Sequence, residues 1–204
     1  LNEVHANAQD FGKEIIPDSI EHYKVVSYQY DGYWTDIGNI YSFFEANIAL
    51  TDEVPPFNLF DSAKTIYTRS RMLPPAKISG TQINQALVAE GSIIHATSIT
   101  KSVIGIRSRI GKDTVIKNSY IMGCDYYETI EQMNVKNGNG QPIIGIGERC
   151  IIEYAIIDKN CSIGNDVVIK GGTHLEKTDH PLYTIKDNIV VIKKGAIIPN
   201  GFVI

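Results

Sequence analysis

Asp36 is the carboxylate whose sequence surroundings could support chemistry. It follows Trp34 at the end of a segment, near residues 33–36, that predicts a strand, and it precedes a stretch with helical spacing. α/β folds bind metals and phosphates at such strand-to-helix transitions. A lone Asp before a helix is also a frequent N-cap. The pattern alone therefore leaves ligand binding and capping both open.

Basic residues are the second candidate set, because guanidinium and ammonium groups suit phosphate oxygens. The 19 Lys and Arg residues are scattered along the sequence, and a single basic residue is usually solvated. The formal net charge of -4 gives no basic footprint for nucleic acid, so we expect no nucleic-acid partner.

The cysteines and histidines predict no metal centre. Cys124, Cys150 and Cys161 have no C-x-x-C spacing, which excludes a zinc knuckle and a disulfide framework and leads us to expect reduced thiols. His174 and His180 lack the Cys or paired carboxylates that would complete a zinc site. No apolar run reaches the roughly 18 residues of a membrane span, so we expect no membrane partner.

Isoleucine dominates the C-terminal two thirds of the chain. From Lys77 onward there are 26 Ile and only 3 Leu, and β-branched side chains favour strands. Aliphatic residues recur every five or six positions, which is the period of neither a flat strand nor a helix. The recurring positions include Ile83, Val88, Ile94, Ile99, Ile104, Ile110, Ile116, Ile121, Ile146, Ile152, Ile157, Ile163, Ile169, Ile192, Ile198 and Ile204.

This period is typical of the hexapeptide unit of a parallel β-helix, in which each unit forms one short side with its aliphatic residue pointing inward. Three sides make a coil of about 18 residues, and stacked coils bury the aliphatic row that a single coil cannot. A β-sandwich is the alternative. It would need hairpin turns, and the clear Asn-Gly cluster at residues 137–140 lies outside the repeat.

The residues before the repeat have a different character. Ile40, Phe43, Phe44 and Ile48 follow helical spacing to about Leu50. Four prolines bracket an extended connection: Pro55, Pro56, Pro74 and Pro75. We predict three parts, namely the end of an α/β domain at 1–52, a Pro-marked linker at 53–77, and a β-helix domain at 78–204 with a loop insertion at 122–142.

Several motifs stand in one order along nearly the whole chain. They are DFGKEIIP (10–17), GYWTDIG (32–38), RMLPPAK (71–77), GIRSR (105–109), MGCDYYET (122–129) and IDKN (157–160). Together they resemble the glucose-1-phosphate adenylyltransferase (ADP-glucose pyrophosphorylase) family. The resemblance implies a mainly β chain, a left-handed parallel β-helix of hexapeptide repeats preceded by the C-terminal end of an α/β nucleotidyltransferase domain. It covers only the back half of that enzyme, without the nucleotide-binding loop, so we expect this chain alone to be inactive.

The resemblance also implies an activity and its residues. The family makes ADP-glucose and pyrophosphate from ATP and α-glucose 1-phosphate for glycogen or starch synthesis. Asp36 would be the catalytic carboxylate that holds Mg²⁺, as the second Asp of a pair. Asp10, Phe11 and Trp34 would bind glucose 1-phosphate, since a carboxylate accepts sugar hydroxyls and aromatic faces exclude water. A core role is the alternative for the two aromatic residues.

The same resemblance singles out four of the basic residues. Lys159, Lys193, Arg71 and, less directly, Arg69 would bind phosphorylated allosteric effectors at the junction of the catalytic and β-helix domains. Residues 173–183, THLEKTDHPLY, depart from the family pattern, so the identity of the effector stays open.

The resemblance further implies a homo- or heterotetramer in a bacterial cytoplasm, or in a plastid for a plant or algal protein. Two alternatives remain. One is a hexapeptide-repeat acyltransferase with His95 as general base, and the other is a non-catalytic regulatory subunit of the same family.

Overall fold

The computed structural model describes residues 7–204, and the chain divides into two compact units, one ending at Tyr33 and the next beginning at Trp34. In the first unit a π-helical turn, Phe11–Ile15, runs directly into helix α1, Ile16–His22. Pro17 suits the first turn of α1 because a helix leaves its first N–H groups unpaired. None of the residues in these two elements is buried.

The second unit begins with an irregular stretch and then helix α2, Ile40–Ile48. Asn39 caps α2 by accepting a hydrogen bond from the Ser42 amide at 2.8 Å, and a 3-10 turn, Ala49–Thr51, extends it. The helical spacing predicted up to Leu50 is thereby confirmed. The strand predicted to end near Asp36 is wrong, because a strand needs a hydrogen-bonded neighbour and no segment within residues 7–204 pairs with this one.

A 3-10 turn, Ser62–Lys64, interrupts the connection that follows, and strands begin at Lys77. The strands of the described chain are β1 (Lys77–Ile78), β2 (Gln82–Val88), β3 (Ile93–Ile94), β4 (Ser98–Ile104), β5 (Arg109–Ile110), β6 (Val115–Lys117), β7 (Tyr120–Ile121), β8 (Gly145–Ile146), β9 (Ile151–Glu153), β10 (Ala155–Ile157), β11 (Ser162–Ile163), β12 (Val168–Lys170), β13 (Thr178–Asp179), β14 (Tyr183–Lys186), β15 (Ile189–Ile192) and β16 (Ile197–Ile198).

All of these strands except β13 and β14 form the three walls of a prism. The first wall is β1-β3-β5-β8-β11-β16, and all of its pairs are parallel. The second wall contains the first halves of β2 and β4 with β6, β9 and β12, and the third contains their second halves with β7, β10 and β15. β2 and β4 turn the corner between walls at Gln85 and Lys101, whose φ angles are 49° and 46°. The predicted parallel β-helix is thus confirmed.

One isoleucine ladder lines the inside of each wall. In the second wall Ile99, Ile116, Ile152 and Ile169 stack in register and are fully buried. Each such side chain contributes about 1.5–3 kcal/mol to folding by leaving water. Polar groups at the corners are paired, as where Thr114 Oγ1 donates to the Gly147 carbonyl at 2.8 Å. The five-to-six-residue period therefore reflects one inward aliphatic residue for each side.

The segment at 122–142, predicted as a loop, contains helix α3, Ile130–Gly138. Thr129 and Gln132 form a capping box at its start. Its apolar residues are few and exposed, among them Ile130 and Val135, so the helical period is weak. The capping box was the local signal that the sequence offered for this helix.

A second core lies outside the prism, between α2 and the third wall. It contains Phe44 and Ile48 of α2 with Ile156 of β10 and Ile189 of β15. The Phe44 ring meets the Tyr154 ring edge-on, with centroids 4.9 Å apart. This packing attaches α2, and the loop before it, to the outer face of the third wall. No helix within the described residues has the length and apolarity to cross a membrane.

Candidate functional site

Asp10 and Phe11 lie at the start of the π-helical turn of the first unit. Asp10 Oδ1 accepts a hydrogen bond from the Lys13 amide at 2.9 Å, and Glu14 Oε1 accepts one from the Asp10 amide at 2.8 Å. Asp10 thus serves as an N-cap here. Phe11 is 63% exposed in this chain.

Trp34 and Asp36 lie in the irregular stretch that opens the second unit. Trp34 is 76% exposed in this chain. Asp36 Oδ1 accepts a hydrogen bond from the Gly38 amide at 3.1 Å, a local turn that fixes the carboxylate three residues before the cap of α2. An exposed aromatic ring beside an exposed, oriented carboxylate is suited to contact a ligand.

Lys159 and Lys193 come from adjacent coils of one corner, between the third wall and the first. The Asp158 amide donates to the Ile192 carbonyl at 3.1 Å, and the Gly195 amide donates to the Lys159 carbonyl at 2.9 Å. Residues 158–160 therefore lie directly beside residues 193–195. We call these two segments the lysine corner. Two of the four predicted effector residues are brought together there.

Lys159 and Lys193 each form an ion pair with an aspartate from an insertion. Lys159 Nζ lies 2.8 Å from Asp125 Oδ1, and Lys193 Nζ lies 2.6 Å from Asp179 Oδ1. The hydrogen bond from Lys159 is the main cause that lowers the pKa of Asp125, and that from Lys193 does the same for Asp179. Both carboxylates are therefore anionic at neutral pH, and they occupy the lysines that were expected to bind phosphate.

An apolar groove of about 390 Å³ borders this corner. It lies between the start of α2 and the third wall, where Gly38 and Phe43 face Met122, Asp158 and Val191. Asp158 immediately precedes Lys159, and Gly38 is the residue that holds the Asp36 carboxylate. The loop that carries Asp36 and the lysine corner are therefore neighbours across one groove.

Arg69 and Arg71 are not part of this cluster. Both are exposed in the connection before β1. The carbonyl of Pro74 accepts a hydrogen bond from the Gly91 amide at 2.7 Å, which stacks this stretch on the first coils. The lysine corner lies about four coils further along the same edge, or roughly 19 Å at the usual strand spacing. The role of the two arginines stays a prediction.

The three cysteines are buried, and Cys150 and Cys161 belong to the core inside the prism. Cys124, Cys150 and Cys161 are free and buried. Burial raises the pKa of each thiol, that of Cys161 to about 12. Buried thiols of this kind pack as small hydrophobic groups with a weak S–H donor. The Cys161 Sγ atom lies 3.2 Å from the Lys193 carbonyl oxygen.

Asp36 can supply one ligand to a magnesium ion. Mg²⁺ takes hard oxygen ligands and is usually bound by one or two carboxylates together with water and substrate phosphates. Within residues 7–204 no three His, Cys, Asp or Glu side chains gather as a metal site. An exposed carboxylate oriented by its own turn fits the role of a single protein ligand.

The architecture is that of a parallel β-helix preceded by a shorter α-helical part. Two family models match the chain in this order. A model described as nucleotidyl transferase matches residues 2–53, and a model described as the GLGC left-handed parallel beta-helix domain matches residues 71–203. The second match covers more than half of the sequence, so the chain belongs to the GLGC left-handed parallel β-helix family. The predicted handedness is thereby confirmed, and the two matches together support a sugar nucleotidyltransferase family.

Asp125 and Asp179 are the site residues that sequence reasoning missed. Asp125 is 34 positions from Lys159, and Asp179 is 14 positions from Lys193. Such pairs depend on how the insertions fold back on the corner. The sequence offered two weak signals for them. Asp125 belongs to the MGCDYYET motif (122–129), and Asp179 lies in the segment that departs from the family pattern.

Proposed function

We propose that this chain is the C-terminal part of a glucose-1-phosphate adenylyltransferase, which makes ADP-glucose and pyrophosphate from ATP and α-glucose 1-phosphate for glycogen or starch synthesis. The observation that carries the proposal is the order of the two family matches, a nucleotidyl transferase part followed by a GLGC β-helix. In the reaction a phosphate oxygen of the sugar forms a bond to the α-phosphorus of ATP. The bond from that phosphorus to the bridging oxygen breaks, and pyrophosphate leaves.

Asp36 is the proposed catalytic carboxylate of this chain. A bound Mg²⁺ would supply charge neutralisation at the phosphates, as phosphoryl-type transfers require. The Gly38 amide orients Asp36 Oδ1 at 3.1 Å, so the carboxylate meets its ligand with little loss of side-chain entropy.

The test replaces Asp36 in the full-length protein. Asp36→Asn should lower the turnover of ADP-glucose formation by about 100-fold or more, because a ligand to the charge-neutralising ion is lost. Asp61→Asn is a matched control, since Asp61 Oδ1 accepts an amide bond from Ala63 at 2.9 Å in the same type of turn. Unchanged turnover and Mg²⁺ dependence in Asp36→Asn would overturn the assignment.

The sugar-phosphate contacts are proposed for Asp10, Phe11 and Trp34. The residue types support this role, because a carboxylate accepts sugar hydroxyls and an aromatic face excludes water beside them. Trp34→Ala in the full-length protein should raise the KM for glucose 1-phosphate and leave the melting temperature nearly unchanged. Tyr67→Ala is the control, because Tyr67 is another exposed aromatic residue. A lower melting temperature with an unaltered KM would assign Trp34 to packing.

The lysine corner is the proposed binding site for phosphorylated effectors. Two lysines on adjacent coils and a groove shared with the Asp36 loop support a site that influences catalysis. Lys193→Ala should weaken the binding of inorganic phosphate to the full-length protein in calorimetry. Lys112→Ala, an exposed lysine elsewhere on the prism, should not. The same affinity for inorganic phosphate in Lys193→Ala as in Lys112→Ala would exclude Lys193 from the site.

We also propose that the protein is an oligomer, with a tetramer as the form that the resemblance implies. The outer face of the second wall supports this, because it carries a stripe of β-branched apolar side chains in register. They are Val115, Ile151, Val168 and Val203. Light scattering on the full-length protein tests it, and a monomer at micromolar concentration would count against it.

A further inference from the structure

The segment that departs from the family pattern leads into an antiparallel extension at the edge of the third wall. The extension consists of strands β13 and β14, and we call it the hairpin. β13 pairs antiparallel with β14, and β14 pairs antiparallel with β15. Ile185 is buried, and the rings of Tyr183 and His180 stack with centroids 4.7 Å apart. The hairpin is therefore a fixed extension of the wall, and it carries Asp179 to the lysine corner.

Asp179 is held in front of Lys193 by more than one contact. Its Oδ1 accepts hydrogen bonds from Lys193 Nζ at 2.6 Å and from Thr184 Oγ1 at 2.9 Å. The Lys193 amide donates to the Leu182 carbonyl at 2.9 Å, which joins the base of the hairpin to the same coil. A carboxylate oriented in this way presents to the lysine the charge and oxygen atoms that a phosphate would present.

Such a carboxylate occupies each of the two predicted effector lysines. Lys159 pairs with Asp125 and Lys193 pairs with Asp179, so each ion pair has no formal net charge. An incoming anion must displace Asp179 from Lys193 before it gains a contact with that lysine. A ligand with one negative charge gains little by that exchange, whereas a phosphate dianion or a phosphate ester gains more.

We infer that Asp179 is a specificity-determining residue of the lysine corner, an internal anion that competes with the effector for Lys193 and selects for multiply charged phosphate ligands. This inference rests on the proposed effector site. Asp179 differs from Asp125, which is bound to Asn160 by two further hydrogen bonds and so also holds two coils together. The side chain of Asp179 is 79% exposed, so replacing this residue should leave the prism intact.

The experiment measures the binding of inorganic phosphate to the full-length protein by calorimetry. Asp179→Asn removes one negative charge from the corner and should tighten phosphate binding about threefold, the range expected when an exposed ion pair is lost as a competitor. Asp166→Asn is the matched control. Asp166 forms an equally close ion pair with Arg149, at 2.7 Å, on a different corner of the prism. It makes the same change in net charge and should leave the affinity within about a factor of 1.5.

A second series tests selectivity. Chloride competition against phosphate should become stronger in Asp179→Asn, because a monovalent anion no longer has to displace a carboxylate. Asp179→Ala should behave like Asp179→Asn, and agreement between them guards against a folding artefact in either one. If Asp166→Asn tightened phosphate binding as much as Asp179→Asn, the change in net charge alone would explain the effect, and the inference would be overturned.

The inference and the proposed function fail in different ways. Unchanged or weaker phosphate binding in Asp179→Asn, with loss of binding in Lys193→Ala, would overturn the competing role and keep the effector site. Unchanged binding in Lys193→Ala would remove the effector site, and the inference with it.

Discussion

The two cores of this molecule are built on different principles. Inside the prism, isoleucines from successive coils stack on copies of themselves, as Ile116, Ile152 and Ile169 do. Outside it, Phe44 of α2 packs on Tyr154 and Ile156, a contact between unlike elements. The inner core follows from a repeat that any coil can continue. The outer core depends on one helix meeting one wall, and it brings the Asp36 loop close to the lysine corner.

Replacing an inner-ladder residue should have the largest effect on stability. Ile152→Ala should lower the free energy of unfolding by about 4 kcal/mol, because it leaves a cavity between coils that cannot collapse. Ile197→Ala is the control, since Ile197 lies on the outer side of the first wall and is 51% exposed, and it should cost less than about 1 kcal/mol. Denaturant unfolding measures both. Similar losses for the two variants would contradict the inward and outward alternation.

Removing the aromatic anchor of the outer core should have a large but local effect. Phe44→Ala should lower the free energy for opening α2 by about 3 kcal/mol, because Phe44 is fully buried against the third wall. Amide hydrogen exchange measures this, with the amides of β6 and β9 as the internal reference. Tyr41→Ala, on the exposed side of α2, is the control. Equal loss of protection in β6 and β9 would mean that the two cores unfold together.

The ion pairs at the lysine corner should give the smallest effect, as a pH dependence. The pKa values of Asp125 and Asp179 lie below the ordinary value of 3.8 in the folded protein. Their contribution to stability is therefore complete above about pH 5 and is lost as the pH falls through the lowered values. Asp125→Asn should reduce the loss of stability between pH 6 and about pH 3, measured by urea midpoints.

Asp187→Asn is the control for the pH experiment. Asp187 is exposed at the turn before β15, and within the described residues its side chain has no ion-pair partner at 4.0 Å or less. The urea midpoint of this variant should follow that of the parent protein across the pH range. An equal reduction in both aspartate variants would show that the corner ion pairs do not stabilise the fold.

The repeat made the inner core predictable, and the outer core only partly so. The inward positions of the ladders, such as Ile99 and Ile163, follow from spacing alone, because each wall offers one buried position. The helical spacing of Phe43, Phe44 and Ile48 predicted α2 but not the surface that it covers. That surface comes from β10 and β15, which lie more than 100 residues away in the chain.

The candidate site was predictable in its residue types more than in its arrangement. Lys159 and Lys193 were singled out by a resemblance, and their adjacency depends on coil register, which residue spacing does not specify across the insertion between them. The strand expected before Asp36 failed for a related reason, since sheet formation requires a neighbour that local sequence cannot supply. The turn that joins β14 to β15 had one signal in the sequence, the Asp187 and Asn188 pair. Their φ angles of 54° and 66° suit a tight turn between antiparallel strands.

Both insertions leave the prism at a corner and return with the ladder unshifted. Ile121 precedes the α3 segment and Ile146 resumes the stack after it, while Ile169 and Ile192 do the same on either side of the hairpin. A longer excursion at such a point adds only a small entropic cost of loop closure. The corners can therefore gain, lose or exchange loops over evolution without disturbing the walls, which makes them the natural sites for new ligand selectivity on an unchanged scaffold.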